Sequence, residues 1–193
     1  MKEKIRARID ALRPLLKDAA PAVRTATAQA IEKLEGVSSL EEILHALKTG
    51  DTGTRIGAIY ALGEIGGEKV LPPILYCASR PEVDIRSAAV EALGRLRIPS
   101  AIPMLVERLE DQHEAVQARA ISALRNYPAS PEILQKLRTF LEASDGSLEA
   151  EAAITLACLN DLLSLDSIFG LLSSHHASTR QAAATALSLM PLQ

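Results

Sequence analysis

The sequence predicts an all-α solenoid: a right-handed superhelix of six stacked helix pairs, repeating about every 31 residues. Three observations predict it. One position recurs on a fixed schedule, small residues follow it at constant distances, and aliphatic residues precede it at helical spacing. The recurring position is held by Arg24, Arg55, Arg86, Gln117, Glu149 and Arg180. Three residues after it stand Thr27, Ala58, Ala89, Ala120, Ala152 and Ala183, and six after it Ala30, Ala61, Ala92, Ala123, Thr155 and Ala186. Seven after it come Ile31, Leu62, Leu93, Leu124, Leu156 and Leu187. Small residues at three and six, with bulk at seven, form one face of a helix.

The first helix of each pair carries its own stripe. Twelve residues before the mark stand Leu12, Ile43, Ile74, Leu105, Leu137 and Ile168, and eight before it Leu16, Leu47, Ala78, Leu109, Leu141 and Leu172. The resulting units span about 1–36, 37–67, 68–98, 99–128, 129–160 and 161–193, as one domain over 1–193. Punctuation agrees with this division. Ser38 and Ser39 precede Glu41 and Glu42 at capping-box spacing, and Ser130-Pro131 reads as a cap followed by the first helical position. Pro72, Pro73 and Pro103 fall near helix starts. Gly36, Gly66-Gly67 and Asn160 are expected to end second helices, and Pro14 to kink or restart the first helix near Arg13. Stacking then gives the alanines their role: they let adjacent second helices approach within roughly 8–10 Å.

Composition narrows the class. Hydrophobic residues at 48% and charged residues at 23% indicate a folded chain. Aromatics at 3%, with no tryptophan, suit thin layers over alanine better than one bulky core. A net charge of −3 argues against a general polyanion binder. Cys77 and Cys158 are too few for a disulfide framework, and lie in different units. Charges interrupt MKEKIRARIDALRPLL throughout, and no run approaches the roughly 18 apolar residues of a membrane span. A reduced cytoplasmic protein without a membrane anchor is expected.

Stretches such as DTGTRIGAIYALGEIGGEKVLPPIL and PEVDIRSAAVEALGRLRIPSAIPMLVERLED resemble HEAT repeats, specifically the short bacterial and archaeal type also seen in phycobilin lyases. The resemblance covers the whole chain and speaks to packing more than to activity. It implies a ladder between units, with acids at Asp51, Asp111, Asp145 and, nearly in place, Glu82. The arginines would be Arg24, Arg55, Arg86 and Arg180, with breaks at Gln117 and Glu149.

No catalytic or metal-binding set emerges, and no cofactor is expected. His113-Glu114 resembles one of the several His-Glu pairs by which HEAT-like deoxyhypusine hydroxylases hold two irons, but one pair cannot build a dinuclear site. His175 and His176 are adjacent and point in different directions from a helix, and His45 lies on a solvent side. The LGEIGGEK glycines lack the lysine–hydroxyl ending and the preceding strand of a phosphate loop.

Binding is therefore expected on the concave face, which second helices line. Its outward positions, one, five and nine past each mark, single out Ile56, Tyr60, Glu91, Arg95 and Asn126 as a partner site, with Tyr60 as a small hot spot. The leading reading is a non-catalytic scaffold or adaptor for a protein partner. The alternative, from the family likeness alone, is a phycobilin-lyase-like chromophore lyase or lyase subunit. Arg95, Arg97, Arg108, Arg119 and Arg125 are a candidate basic patch, but interspersed Glu64, Glu91 and Glu107 weigh against nucleic acid. The C-terminal helix, expected to expose Leu189 or Met190, leaves two states open: a monomer, or a weak homodimer through that end.

Overall fold

Small side chains set the spacing of this molecule. A computed structural model describes residues 2–191, which hold twelve α-helices and no strand. The helices come in six consecutive pairs: α1 (Lys2–Leu12) with α2 (Pro21–Ser38), α3 (Leu40–Thr49) with α4 (Thr52–Ile65), and α5 (Leu71–Ala78) with α6 (Val83–Leu96). Then follow α7 (Ile102–Arg108) with α8 (Glu114–Leu124), α9 (Pro131–Thr139) with α10 (Leu148–Cys158), and α11 (Leu165–Leu171) with α12 (Ala177–Leu189).

Each first helix packs chiefly on its own second helix, while the second helices also pack on one another in an unbroken row from α2 to α12. The reason lies in the schedule of small residues. Thr27, Ala58, Ala89, Ala120, Ala152 and Ala183 are all buried. A Cβ added at Gly63 would lie 3.3 Å from the Ala92 Cβ, and one at Gly94 only 2.8 Å from the Ala123 Cβ. The second helices thus pack on one another more closely than the first helices do. The aliphatic stripes fill the space between the layers, with Ile74, Leu105, Leu137 and Ile168 from first helices against Leu62, Leu93, Leu124 and Leu156 from second helices.

Local chemistry explains most ends. Pro14 stops α1 at Leu12 and the chain continues as a 3-10 turn over Arg13–Lys17. Pro72-Pro73 and Pro103 sit in the first turns of α5 and α7, where no N–H is missed. Ser130 Oγ accepts from the Ile133 N–H, 3.2 Å, at the start of α9. Gly66, Gly67 and Asn160 take positive φ after α4 and α10.

Three expectations need correction. Gly36 does not end α2, which continues to Ser38. A Cβ at Gly36 would lie 2.9 Å from Ile65 Cγ1, so this glycine admits a neighbour and does not cap. Ser39 turns its amide back to the carbonyls of Glu35 and Gly36, and no side-chain cap forms before α3. Leu16 and Leu172 leave the aliphatic stripe and are 41% and 40% exposed, the first within the Pro14 turn and the second just past α11.

The mark position ties the layers together in a way only partly expected. Four of its six side chains reach a carbonyl six residues back, in the turn that follows the first helix of the same unit. Arg24 donates to Asp18 O at 2.8 Å, Arg86 to Arg80 O at 2.9 Å, Gln117 to Asp111 O at 2.8 Å and Arg180 to Ser174 O at 2.7 Å. The ladder itself has two rungs. Arg86 meets the buried Asp111 of the next unit through two bonds of 2.9 Å, and Arg55 approaches Glu82 at 3.5 Å. Asp51 and Asp145 instead cap their own helices. At Glu149, 1% exposed, the rung is inverted: the carboxylate accepts from Thr179 Oγ1 at 2.5 Å and Ser174 Oγ at 3.3 Å. Ser174 stands 25 residues after Glu149, as Asp111 does after Arg86.

Burial alone would raise the Asp111 carboxyl, but the hydrogen bonds from Arg86 and from the His113 N–H outweigh it and hold the group below its ordinary value. A carboxylate depressed in the folded state adds stability above its unfolded pKa and loses that stability as pH falls through the folded value. Urea melts of the wild type should therefore weaken below about pH 4, and Asp111→Asn should be destabilised at neutral pH and flatten that dependence. The glycines offer a second test with opposite signs. Gly57 sits in α4 with open space around its missing Cβ, so Gly57→Ala should stabilise by about 0.5–1 kcal/mol. Gly94→Ala should destabilise by about 1–3 kcal/mol through overpacking against Ala123, measured by the same melts.

Candidate functional site

The open face of the second-helix row carries one dense cluster, built from three consecutive helices. Tyr60 and Glu64 lie one turn apart on α4, Glu91 and Arg95 one turn apart on α6, and Arg119 on α8. Tyr60 Oη donates to Glu91 Oε2 at 3.2 Å. Arg95 donates to Glu64 Oε1 at 2.7 Å and to Glu91 Oε1 at 2.8 Å, and its guanidinium lies 5.5 Å from the centre of the Tyr60 ring. Arg119 approaches Glu91 at 3.6 Å. Glu91 is the hub, taking a hydroxyl and two guanidinium groups. Burial first, and the Glu91 charge second, push the Tyr60 phenol above its ordinary value, so it remains a donor.

The five residues singled out from the sequence divide among three roles. Tyr60, Glu91 and Arg95 meet in the cluster. Ile56 is half-buried, packs against the hydrophobic core one turn from Tyr60, and forms the floor of the face. Asn126 follows α8 and joins the cluster only through shared surroundings: Arg97 Nη2 reaches its Oδ1 at 3.5 Å, and a groove of about 180 Å³ is lined by Asn126, Glu91, Arg95 and Arg119. Glu64 and Arg119 belong to the cluster and were not chosen with the five. The signal for Glu64 was in the register, since Glu64 and Arg95 stand 31 residues apart, as do Tyr60 and Glu91, whereas Arg119 reaches Glu91 from off that register.

The remaining candidates scatter. Arg108 leaves the basic patch, because it lies beside Asp111 and Glu107 near the turn before α8. His113 and His176 are exposed residues at the starts of α8 and α12. Among the described residues no group of three or more His, Cys, Asp or Glu is placed to hold a metal ion, and no helix is long and apolar enough to cross a membrane. Cys77 is buried, Cys158 is exposed on the open face, and both are free thiols.

Known proteins match this architecture. The family model for HEAT repeats matches residues 9–81 and again 71–157, more than half of the chain. The chain belongs to the HEAT-repeat family. Among curated proteins none matches it in sequence. Among solved structures, this HEAT-repeat chain is similar to one in the complex of CpcE and CpcF of phycocyanin lyase from Nostoc sp. PCC7120. That likeness has a TM-score of 0.65 at 17% identity and covers 78% of this chain and 99% of that one. It is also similar to computationally designed armadillo repeat proteins for modular peptide recognition, with a TM-score of 0.57, 16% identity and coverage of 95% and 100%. A designed armadillo repeat protein in complex with the peptide (KR)4 matches at 0.55 and 17%, covering 95% and 99%. These likenesses concern the solenoid fold.

Because Tyr60 bridges two helices and rests on the core, its hydroxyl and its ring are separable. Tyr60→Phe should cost about 0.5–1.5 kcal/mol in a urea melt, the range of one hydrogen bond. Tyr60→Ala should cost more, because it also uncovers core residues beneath the ring.

Proposed function

We propose that this HEAT-repeat protein is a non-catalytic scaffold that binds a protein partner on the concave, second-helix face, at Ile56, Tyr60, Glu91, Arg95 and Asn126. One observation carries the reading: polar and aromatic side chains from three consecutive helices are already fixed to one another on an accessible surface. Such a surface loses little side-chain freedom when a partner docks, so more of each contact becomes affinity. The peptide-recognising designs of the same fold support the reading by analogy. We place the protein in the cytoplasm, on the strength of its free thiols, and assign it as a monomer or a weak homodimer through the C-terminal unit, where Leu189 is exposed while Met190 is buried.

The test is a pull-down from native extract with three baits and sedimentation of the wild type at several concentrations. A partner held by the wild type should be lost with Glu91→Gln/Arg95→Gln and retained with Tyr76→Ala, a control on the first-helix side. Loss with the control alone would move the site to the outer face. Pigment transfer from a bilin to an apo-phycobiliprotein in the presence of the protein would replace the scaffold reading with the lyase one.

A further inference from the structure

Beside the cluster runs a trough whose charge opposes that of the whole chain. A hollow of about 640 Å³ crosses the ends of α2, α4 and α6 and continues into the groove of about 180 Å³ toward α8, the two sharing Arg95 and Asn126. Its walls carry Lys33, Arg95, Arg97, Arg119 and Arg125 against Glu64 and Glu91. Five cations face two carboxylates in a protein of net charge −3. Both carboxylates are already engaged, Glu64 by Arg95 and Glu91 by Arg95 and Arg119. Lys33, Arg97 and Arg125 have no ion-pair partner among the described residues.

Arg97 adds an independent sign. It occupies the position eleven past the mark, which holds Gly66 after α4 and Asn160 after α10. All three adopt positive φ, 69° at Gly66, 52° at Arg97 and 57° at Asn160. Glycine and asparagine take this conformation readily, whereas a long side chain does so only at an energetic cost. Here the strained position carries a guanidinium into the trough, with only a 3.5 Å contact to Asn126 to hold it.

We infer that the trough binds an acidic, extended peptide segment, whose carboxylates pair with Arg97, Arg125 and Lys33. The inference rests on the scaffold reading and names the chemistry of its partner. A peptide fits better than nucleic acid for two reasons. Glu64 and Glu91 interrupt the line of cations that a continuous phosphate backbone would follow. The Arg95 guanidinium already lies over one face of the Tyr60 ring and Glu91 holds its hydroxyl, which restricts the ring as a platform for stacking bases.

The test uses fluorescence anisotropy with labelled octaglutamate, octalysine and a single-stranded DNA octanucleotide at low and high salt. Octaglutamate should bind best, and more weakly as salt rises. Arg97→Gly should weaken octaglutamate about threefold while its melting temperature holds or rises, because glycine relieves the left-handed backbone. Arg119→Glu/Arg125→Glu should weaken it at least about tenfold. Binding unchanged in Arg97→Gly would overturn the pairing of the peptide's carboxylates with Arg97. Octaglutamate binding no tighter than octalysine, binding indifferent to both sets of substitutions, or tighter capture of the DNA would each overturn the proposal. Should octaglutamate fail while partner capture still depends on Glu91 and Arg95, the scaffold reading stands and only the partner's chemistry falls.

Discussion

The approach of one second helix to the next is the constraint on which the rest of the molecule depends. It is set by what is missing from the side chains. Where Gly94 faces Ala123, a single added carbon would sit at 2.8 Å, closer than packed atoms tolerate. The first helices have no such schedule of small residues, and so the two layers differ in spacing. The second helices form one continuous row from α2 to α12 along one face of the stack. The location of the proposed binding face thus follows from the smallest residues in the chain.

Hydrogen bonds then fix the register that packing alone would leave loose. The mark side chain clasps a carbonyl in the turn after the first helix of its own unit, and in two units it also reaches the next. That double duty explains why an arginine is favoured there: it has donors for carbonyls and a fork for a carboxylate. Gln117 keeps the first duty and drops the second. Glu149 reverses the polarity and is answered by hydroxyls in the following unit. A second bidentate pair, Arg138 with Asp161, and the buried bond from Tyr127 Oη to Leu93 O, 2.6 Å, strengthen the units around these exceptions. Burial pushes the Tyr127 phenol up to about 12, so the bond keeps its donor across the physiological range.

How much of this was legible depends on whether a feature repeats. Ala58, Ala89 and Ala120 could be read as contacts because the same residue type returns at the same interval. The open face could be read as the complement of that stripe, and Tyr60, Glu91 and Arg95 were found on it. What the sequence concealed were the places where local and tertiary demands differ. Gly36 looks like a stop and serves as clearance for Ile65, a neighbour 29 residues away. Ser39 looks like a cap, but its amide is already committed to the end of α2. Asp51 and Asp145 look like ladder rungs, yet the nearer backbone amides take them first. In each case a short-range partner, or a side chain brought in from the next unit, outcompetes the role that spacing alone assigns.

The same reasoning explains why the polar cluster forms where it does. Equivalent positions in consecutive layers face each other, so residues about 31 apart are neighbours across every interface. Glu64 opposite Arg95, and Tyr60 opposite Glu91, are the inter-repeat counterparts of an ion pair within a helix. Fixing these side chains against one another neutralises α4 and the centre of α6 and leaves the helix ends beyond them positive. The division of the face into a self-satisfied centre and an unsatisfied margin is therefore a consequence of register. In the proposed reading a partner would meet a rigid platform in the middle and unpaired charge along its edge, and the edge would discriminate.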